Sequence, residues 1–300
     1  MGEDSVRTNA VVFRERMNPS PNVIQIESIQ DPRVSAYANL RDRQLAADAG
    51  CGPQRRPEYA NGLFIAEGEL VLHHLLASAF RIHSVLLTPA RLETLHGALN
   101  SLPADAAVYL VSQQVMNDIV GFNIHRGVLA AAFRGDEPNP KDLIAQAPAA
   151  VVLEDLTNLD NVGGIFRVVS ALAPVGTCVL LSPRCCDPLY RKSIRVSMGH
   201  ALRVPFARLE PWPEAVSTLR DAGFAVVGMA VGAGAVSVRE AESTLAGRRP
   251  AIVLGSEGPG LSDGLLGMAD VLVRIPMRTG VDSLNVVTAS AVAMSWLLRL

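Results

Sequence analysis

Near its C-terminal end the chain reads Ala251-Ile-Val-Leu-Gly-Ser-Glu-Gly-Pro-Gly260, then Val271-Leu-Val-Arg-Ile-Pro-Met-Arg-Thr-Gly-Val-Asp-Ser-Leu-Asn285, and closes on an apolar stretch to Leu300. Short β-branched apolar runs bounded by glycine and proline read as fully buried strands, and the closing stretch reads as a helix. Strands of this kind suit a parallel sheet covered on both faces. Ligands of such sheets lie beyond the carboxyl ends of the strands, which is where the polar and glycine residues of this stretch gather.

The residues before it continue the pattern. Ala149–Leu153, Thr177–Leu181 and Ala225–Ala230 read as further strands, and Val162–Leu172, Leu189–Ser197 and Pro213–Ala222 as helices. The first half alternates in the same way, with strands at Leu63–Ala66, Ser84–Leu87, Ala107–Leu110 and Gly127–Phe133. Helices at Leu70–Phe80, Ala90–Leu99 and Gln113–Ile119 separate them, which predicts a small α/β sandwich. Ile24–Ile29 reads as a strand, and Asp31-Pro32 opens a helical segment carrying Val34, Tyr37, Leu40 and Leu45. Residues 1–22 read as a flexible arm, Gly50–Pro57 as a loop, and 135–148, with Pro138, Pro140 and Pro148 among charged residues, as a linker between domains at 23–134 and 149–300.

Composition bounds the function. The 300 residues are 49% hydrophobic and 19% charged, as in an ordinary globular protein. No apolar run reaches the roughly 18 residues of a membrane span, and the N-terminal residues lack the apolar core of a signal peptide, so a cytoplasmic protein is expected. Cys51, Cys178 and the pair Cys185-Cys186 lack metal-ligand spacing, and no metal is expected. The net charge of −2 is not that of an overall nucleic-acid binder, but Arg184, Arg191, Lys192, Arg195 and Arg203 form a local basic segment against Asp187.

Three strand ends carry the polar chemistry. In Asn158-Leu-Asp-Asn161-Val-Gly-Gly-Ile-Phe-Arg167, Asn161 is a candidate helix N-cap, and Gly163 and Gly164 allow close approach of another backbone. Arg167 falls about two turns inside an apolar helix, where burial requires an anionic partner or ligand; the other reading is a surface arginine on a capped helix. Leu254–Gly260 is neither a Walker loop nor the fingerprint GxGxxG, yet its glycines expose backbone groups and Glu257 is a candidate acceptor. Around Ser283 and Asn285, capping accounts for one polar residue but hardly for both together with the Gly280 turn.

Asn161-x5-Arg167, Gly255-Ser-Glu257-Gly-x-Gly260-Leu, and Ile275-Pro-Met with Ser283-Leu-Asn285-Val resemble the three motifs of the SpoU (TrmH) branch of the SPOUT RNA methyltransferases. Arg195-Val-Ser-Met-Gly-His200 is similar to the Arg-x-Ser-x-Gly segment of that family. The likeness covers about residues 149–300; before it, Phe64-Ile-Ala-Glu67-Gly68 and His125-Arg126-Gly-Val128 resemble the family's L30e-like substrate-binding domain. Gly164 and Val168-Val169 depart from the usual Ala and Thr-Ala of the first motif, and Ala173-Pro-Val-Gly176 interrupts the usual Phe-Gly.

The resemblance implies a C-terminal α/β SPOUT domain with a parallel sheet and a deep trefoil knot, an N-terminal L30e-like domain, a homodimer, and S-adenosylmethionine as cofactor. It further implies a 2′-O-ribose methyltransferase of structured RNA, 23S ribosomal RNA first and transfer RNA second. Arg167, Asn161, Glu257, Ser283 and Asn285 match its catalytic positions, with Leu254, Gly255, Ser256, Gly258, Gly260, Ile275, Pro276, Met277 and Leu284 at the cofactor. Arg184, Arg191, Lys192, Arg195, His200 and Arg126 are the expected RNA contacts. A catalytically silent RNA-binding protein of the same fold is one alternative. A nicotinamide oxidoreductase is another, whose nearest loop, Val231–Ser237, lacks the third glycine position.

Overall fold

The computed structural model describes residues 22–40, 62–124, 127–232, 234–245 and 247–298. The expected N-terminal arm, the loop at 50–57, Leu45, Cys51, His125 and Arg126 lie outside the described residues.

Among the described residues the strands form two sheets. The first contains β1 (Asn22–Gln25), β2 (Leu63–Glu67), β3 (Ile82–Leu87), β4 (Ala107–Leu110) and β5 (Val128–Phe133), in the order β1-β4-β3-β5-β2. It is mixed rather than parallel: β4 runs parallel to β1 and β3, while β5 is antiparallel to both β3 and β2. Alternation of strands and helices could not reveal this, because β5 is inserted between two earlier strands. The helices α1 (Glu69–Leu76), α2 (Pro89–Leu99) and α3 (Gln113–Val120) separate the strands as expected. Pro32–Leu40 forms a 3-10 helix whose Val34 and Tyr37 enter the core, with Tyr37 Oη 2.7 Å from Ser84 Oγ.

The stretch 135–148, expected as a linker, contains a helix. Pro140–Gln146 is a helix, α4, because Asn139 accepts from the Lys141 N–H at 2.9 Å and Pro140 supplies a helical φ at the first position. Its Ile144 is buried against the second sheet.

That sheet is entirely parallel. Its strands are β6 (Ala150–Leu153), β7 (Cys178–Leu181), β8 (Phe206–Arg208), β9 (Phe224–Met229), β10 (Val236–Ser237), β11 (Arg249–Leu254) and β12 (Val271–Arg274), in the order β10-β12-β9-β11-β6-β7-β8. The edge strands β8 and β10 are too short to carry a sequence pattern and were not expected. Helices α5 (Leu159–Leu172), α6 (Arg191–Val196), α7 (Ser217–Asp221), α8 (Val238–Thr244), α9 (Asp263–Met268) and α10 (Val286–Leu297) cover the sheet. The expected helix at Pro213–Ala222 is a 3-10 turn, Glu214–Val216, running into α7.

Alternate residues of β6 face opposite cores: Val151 and Leu153 pack with Ile165 and Phe166 of α5, whereas Ala150 and Val152 pack with Leu219 and Ile144. Each fully buried side chain of this size contributes about 1.5–3 kcal/mol of transfer free energy. The paired glycines of α5 explain how that helix packs on two sides. A Cβ at Gly163 would lie 2.5 Å from the Ser193 carbonyl oxygen of α6, and one at Gly164 would lie 2.7 Å from Cγ2 of Val287 in α10. The departure at Gly164 is therefore matched to a branched residue on the facing helix.

Candidate active site at the strand ends

β6, β11 and β12 deliver the three polar segments to one edge of the parallel sheet. Asn161 lies in the first turn of α5, not at its cap. Asn158 caps the helix instead, accepting from the Asp160 N–H at 2.9 Å, because the helix begins nearly one turn earlier than the apolar pattern. Asn161 is thereby free for another task and is buried. Its Nδ2 donates to Glu257 Oε1 at 3.0 Å, and Asn285 Nδ2 donates both to that oxygen at 3.0 Å and to Asn161 Oδ1 at 3.1 Å. Asn285 is also the N-cap of α10, its Oδ1 accepting from the Val287 N–H at 2.9 Å. Capping and site formation thus use different atoms of one amide.

Glu257 sits at the tip of a tight bend. The Gly260 N–H donates to the Ser256 carbonyl at 3.0 Å, and Gly258 and Gly260 have φ of 93° and 73°. Gly255 admits no side chain, since its Cβ would fall 2.3 Å from the Gly260 carbonyl carbon. Buried Glu154, just past β6, holds both stems of this bend. Its backbone N–H donates to the Leu254 carbonyl at 2.9 Å. Its carboxylate accepts from the Ser262 N–H at 2.8 Å, Ser262 Oγ at 2.7 Å and Trp212 Nε1 at 3.1 Å. Sequence inspection missed Glu154; the only signal was an acidic residue directly after an apolar strand.

The bend walls a cleft of about 750 Å³. Leu254, Gly255, Ser256, Glu257, Gly258, Gly260, Ile275, Met277, Ser283, Leu284 and Asn285 line it, so most of the expected cofactor residues share one cavity; Pro276 is not among the lining residues. The unexpected wall is Met229–Gly232, read from sequence as the end of a strand at Ala230 and the start of the turn after it. The size and mixed lining fit a nucleoside-sized molecule held by backbone groups.

Arg167 takes the surface reading rather than the buried one. Val162, Ile165, Phe166 and Val169 turn to the core, which places Arg167 on the solvent face of α5, exposed and without a hydrogen bond or ion pair to a described residue. It does not line the cleft. The basic segment differs from its sequence reading, because acids from elsewhere neutralise most of it. Arg184 pairs with Asp155, Lys192 with Asp160 at 2.6 Å, and Arg191 and Arg195 with buried Glu67 of β2 at 2.5 and 3.8 Å. His200 Nδ1 lies 2.7 Å from Ser170 Oγ. Arg203 is exposed and has no ion pair with a described residue.

Among the described residues no helix is long and apolar enough to cross a membrane, and no group of three or more His, Cys, Asp or Glu could hold a metal ion. Cys185 is buried, and its Sγ donates to the Leu153 carbonyl at 3.2 Å.

Residues 148–295 match a sequence model described as the SpoU rRNA Methylase family. A tRNA/rRNA methyltransferase of Mycobacterium tuberculosis, itself uncharacterised, is 39% identical over 275 residues, covering 91% of this chain and 92% of that protein. An S-adenosylmethionine-bound rRNA methyltransferase from Sinorhizobium meliloti superposes with a TM-score of 0.72 at 23% identity, covering 91% of this chain and 96% of that one. A structure described as an RNA 2′-O ribose methyltransferase gives a TM-score of 0.67 at 22% identity, covering 91% and 98%. With its strand-end motifs gathered on one parallel sheet and this likeness over nearly its whole length, the chain belongs to the SpoU family of RNA methyltransferases.

Proposed function

We propose that this protein transfers a methyl group from S-adenosylmethionine to a ribose 2′-hydroxyl of structured RNA, 23S ribosomal RNA first and transfer RNA as the second substrate class. As a SpoU-family member it is an S-adenosylmethionine-dependent RNA methyltransferase; the ribose oxygen and the RNA species are the finer part of the proposal. The observation that carries it is the closed Asn161–Glu257–Asn285 network beside a cleft whose glycine bend admits no side chain at Gly255.

S-adenosylmethionine, when bound, supplies a methyl group activated on a sulfonium centre. The chain's contribution is positioning. In-line displacement needs the hydroxyl oxygen about 3–3.5 Å from the methyl carbon, and a fixed network lowers the cost of holding it there. Glu257 Oε1 is occupied by two amide donors, while Oε2 has no hydrogen bond to a described residue and is free to accept from a hydroxyl or amino group. Leu254–Gly260 and Ile275–Leu284 form the cofactor cradle, threaded as the deep trefoil knot of the SPOUT fold, and the first sheet is the L30e-like RNA platform. Ser283 hydrogen-bonds at the reacting ribose.

Arg167 orients an RNA phosphate and stabilises the developing alkoxide. A guanidinium is a poor base because it holds its proton so firmly, so the proton leaves to phosphate or solvent. Since Arg167 does not line the cleft of its own subunit, a homodimer completing each site from both copies suits its exposed position.

Arg167→Ala is the test. Turnover is expected to vanish while the affinities for S-adenosylhomocysteine and RNA survive; loss of RNA binding alone sinks the assigned role. Mapping 2′-O-methyl sites in total RNA with and without the protein identifies the nucleotide. Tight RNA binding with no methyl transfer favours the catalytically silent reading.

A further inference from the structure

One cluster of ionisable groups lies outside the cleft, where the two sheets meet. His74 of α1 and His200, just after α6, have ring centroids 4.7 Å apart. The contact is built closely: Gly199 has φ of 88°, and a Cβ there would lie 2.9 Å from His74 Cβ, so the imidazole rests on backbone that no other residue could provide. Ser170 Oγ occupies His200 Nδ1, leaving Nε2 without a hydrogen bond to a described residue.

The charges acting on this pair are all cationic. Arg203 and His73 act on His74; His74, Arg167 and Arg203 act on His200. Together with burial, the first cause in each case, they hold both imidazoles below the ordinary histidine range. The neighbouring cations that have acids, Arg191, Arg195 and Lys192, are paired away from the cluster, whereas Arg167 and Arg203 have no ion pair with a described residue. Two imidazoles in tilted contact, under the field of two guanidiniums that have no ion pair with a described residue, make a patch where protonating either ring is unfavourable until an anion arrives. Arg203 also lines a cleft of about 1000 Å³ between the sheets, with Phe80, Asp187 and Phe206.

We propose that His74, His200 and Arg203, beside Arg167, form an anion site that grips an RNA phosphodiester across the junction of the two sheets. This rests on the RNA methyltransferase reading, and it adds a residue of the first sheet, His74, and a cation, Arg203, to the substrate contacts. Guanidinium groups suit bidentate phosphate contact. An imidazole that binds phosphate does so as the donor of an N–H and gains a proton as the anion arrives, so binding takes up protons.

Filter binding of total ribosomal RNA to the full chain at fixed salt, from about pH 8 to pH 5.5, tests this. Wild-type affinity is expected to rise about threefold or more as pH falls, since linked proton uptake steepens binding in that direction. His74→Gln and His200→Gln should flatten that rise, and Arg203→Gln should weaken binding at every pH and lower the slope of log affinity on log salt by about one. Lys141→Gln, an exposed cation on α4, should behave as wild type. Unchanged affinity and pH slope in all three cluster variants overturn the proposal while leaving the methyltransferase reading intact. Absence of RNA binding by the wild type at any pH overturns both, and S-adenosylhomocysteine binding, measured separately by calorimetry, shows whether the cofactor site has failed as well.

Discussion

Asn285 Nδ2 donates to Glu257 Oε1 at 3.0 Å while Asn285 Oδ1 caps α10 through the Val287 N–H at 2.9 Å. One side chain therefore joins the start of the closing helix to the tip of the glycine bend, so substitutions at 285 can separate folding from function. Asn285→Ala removes both contacts and should cost about 1 kcal/mol through the lost cap. Asn285→Asp keeps a good cap but sets a carboxylate against Glu257, so methyl transfer should fall at least about 100-fold, close to the loss for one deleted electrostatic donor. Repulsion between the carboxyls raises the pKa of one of them, and its protonation as pH falls restores a donor. S-adenosylhomocysteine binding by the Asp variant should accordingly recover toward acid pH, whereas that of the Ala variant should not. Urea denaturation and calorimetry read the two effects.

Gly255→Ala should abolish the cleft without unfolding the sheet. Its Cβ would overlap the Gly260 carbonyl carbon at 2.3 Å, a contact with backbone that no rotamer can relieve. β11 ends at Leu254 and the bend is solvent-facing at Glu257–Pro259, so strain is released by opening the bend. We expect S-adenosylhomocysteine affinity to drop at least about 100-fold, or some 2.7 kcal/mol, with the far-ultraviolet circular dichroism spectrum retained.

These residues show what was legible in the sequence. Asn161, Glu257 and Asn285 are 96, 124 and 28 positions apart pairwise, yet each follows a buried-type strand, and parallel strands bring their carboxyl ends to one edge. The strand pattern therefore brought the three segments to one edge, and the family resemblance marked these side chains within them. The neutralised basic segment was not legible, because Asp155, Asp160 and Glu67 reach Arg184, Lys192 and Arg191 only through tertiary packing. The exposure of Arg167 was hidden for a similar reason. A run that is apolar nearly all round leaves the solvent face undefined until α6 and α10 occupy the other faces through Gly163 and Gly164.

Glu154→Gln should weaken the cofactor site from beneath. The carboxylate receives three donors and its backbone N–H holds Leu254, so both stems of the bend depend on one residue. An amide offers a single acceptor oxygen and turns donors toward at least one of Ser262 and Trp212. Hydrogen bonds to charged groups contribute about 1.5–3 kcal/mol, so one lost contact should raise the Kd for S-adenosylhomocysteine about tenfold or more. Turnover at saturating cofactor should stay near wild type, because Glu154 is a positioning residue and lies below the cleft lining. A fall in turnover with unchanged Kd counts against that role.

Glu67→Gln should loosen the first sheet from the second. Glu67 ends β2, its side chain only 6% exposed, and it takes Arg191 at 2.5 Å and Arg195 at 3.8 Å from α6. Leu189, Ile194 and Leu202 of the same region pack into the core of the first sheet, so the Glu67 carboxylate is buried among apolar contacts. Arg191 and Arg195 are 21% and 41% exposed, so water covers part of the freed charge and the loss is that of hydrogen bonds to a charged group, about 1.5–3 kcal/mol. The cost falls on the junction rather than on either sheet's interior, and unfolding should therefore split into two thermal transitions. Cofactor affinity should change little, since neither Arg191 nor Glu67 lines the cleft. RNA affinity should fall, because His74 and His200 meet across the same junction and lose their contact when it opens. Differential scanning calorimetry together with filter binding separates this outcome from simple global destabilisation, which would give one transition at a lower temperature.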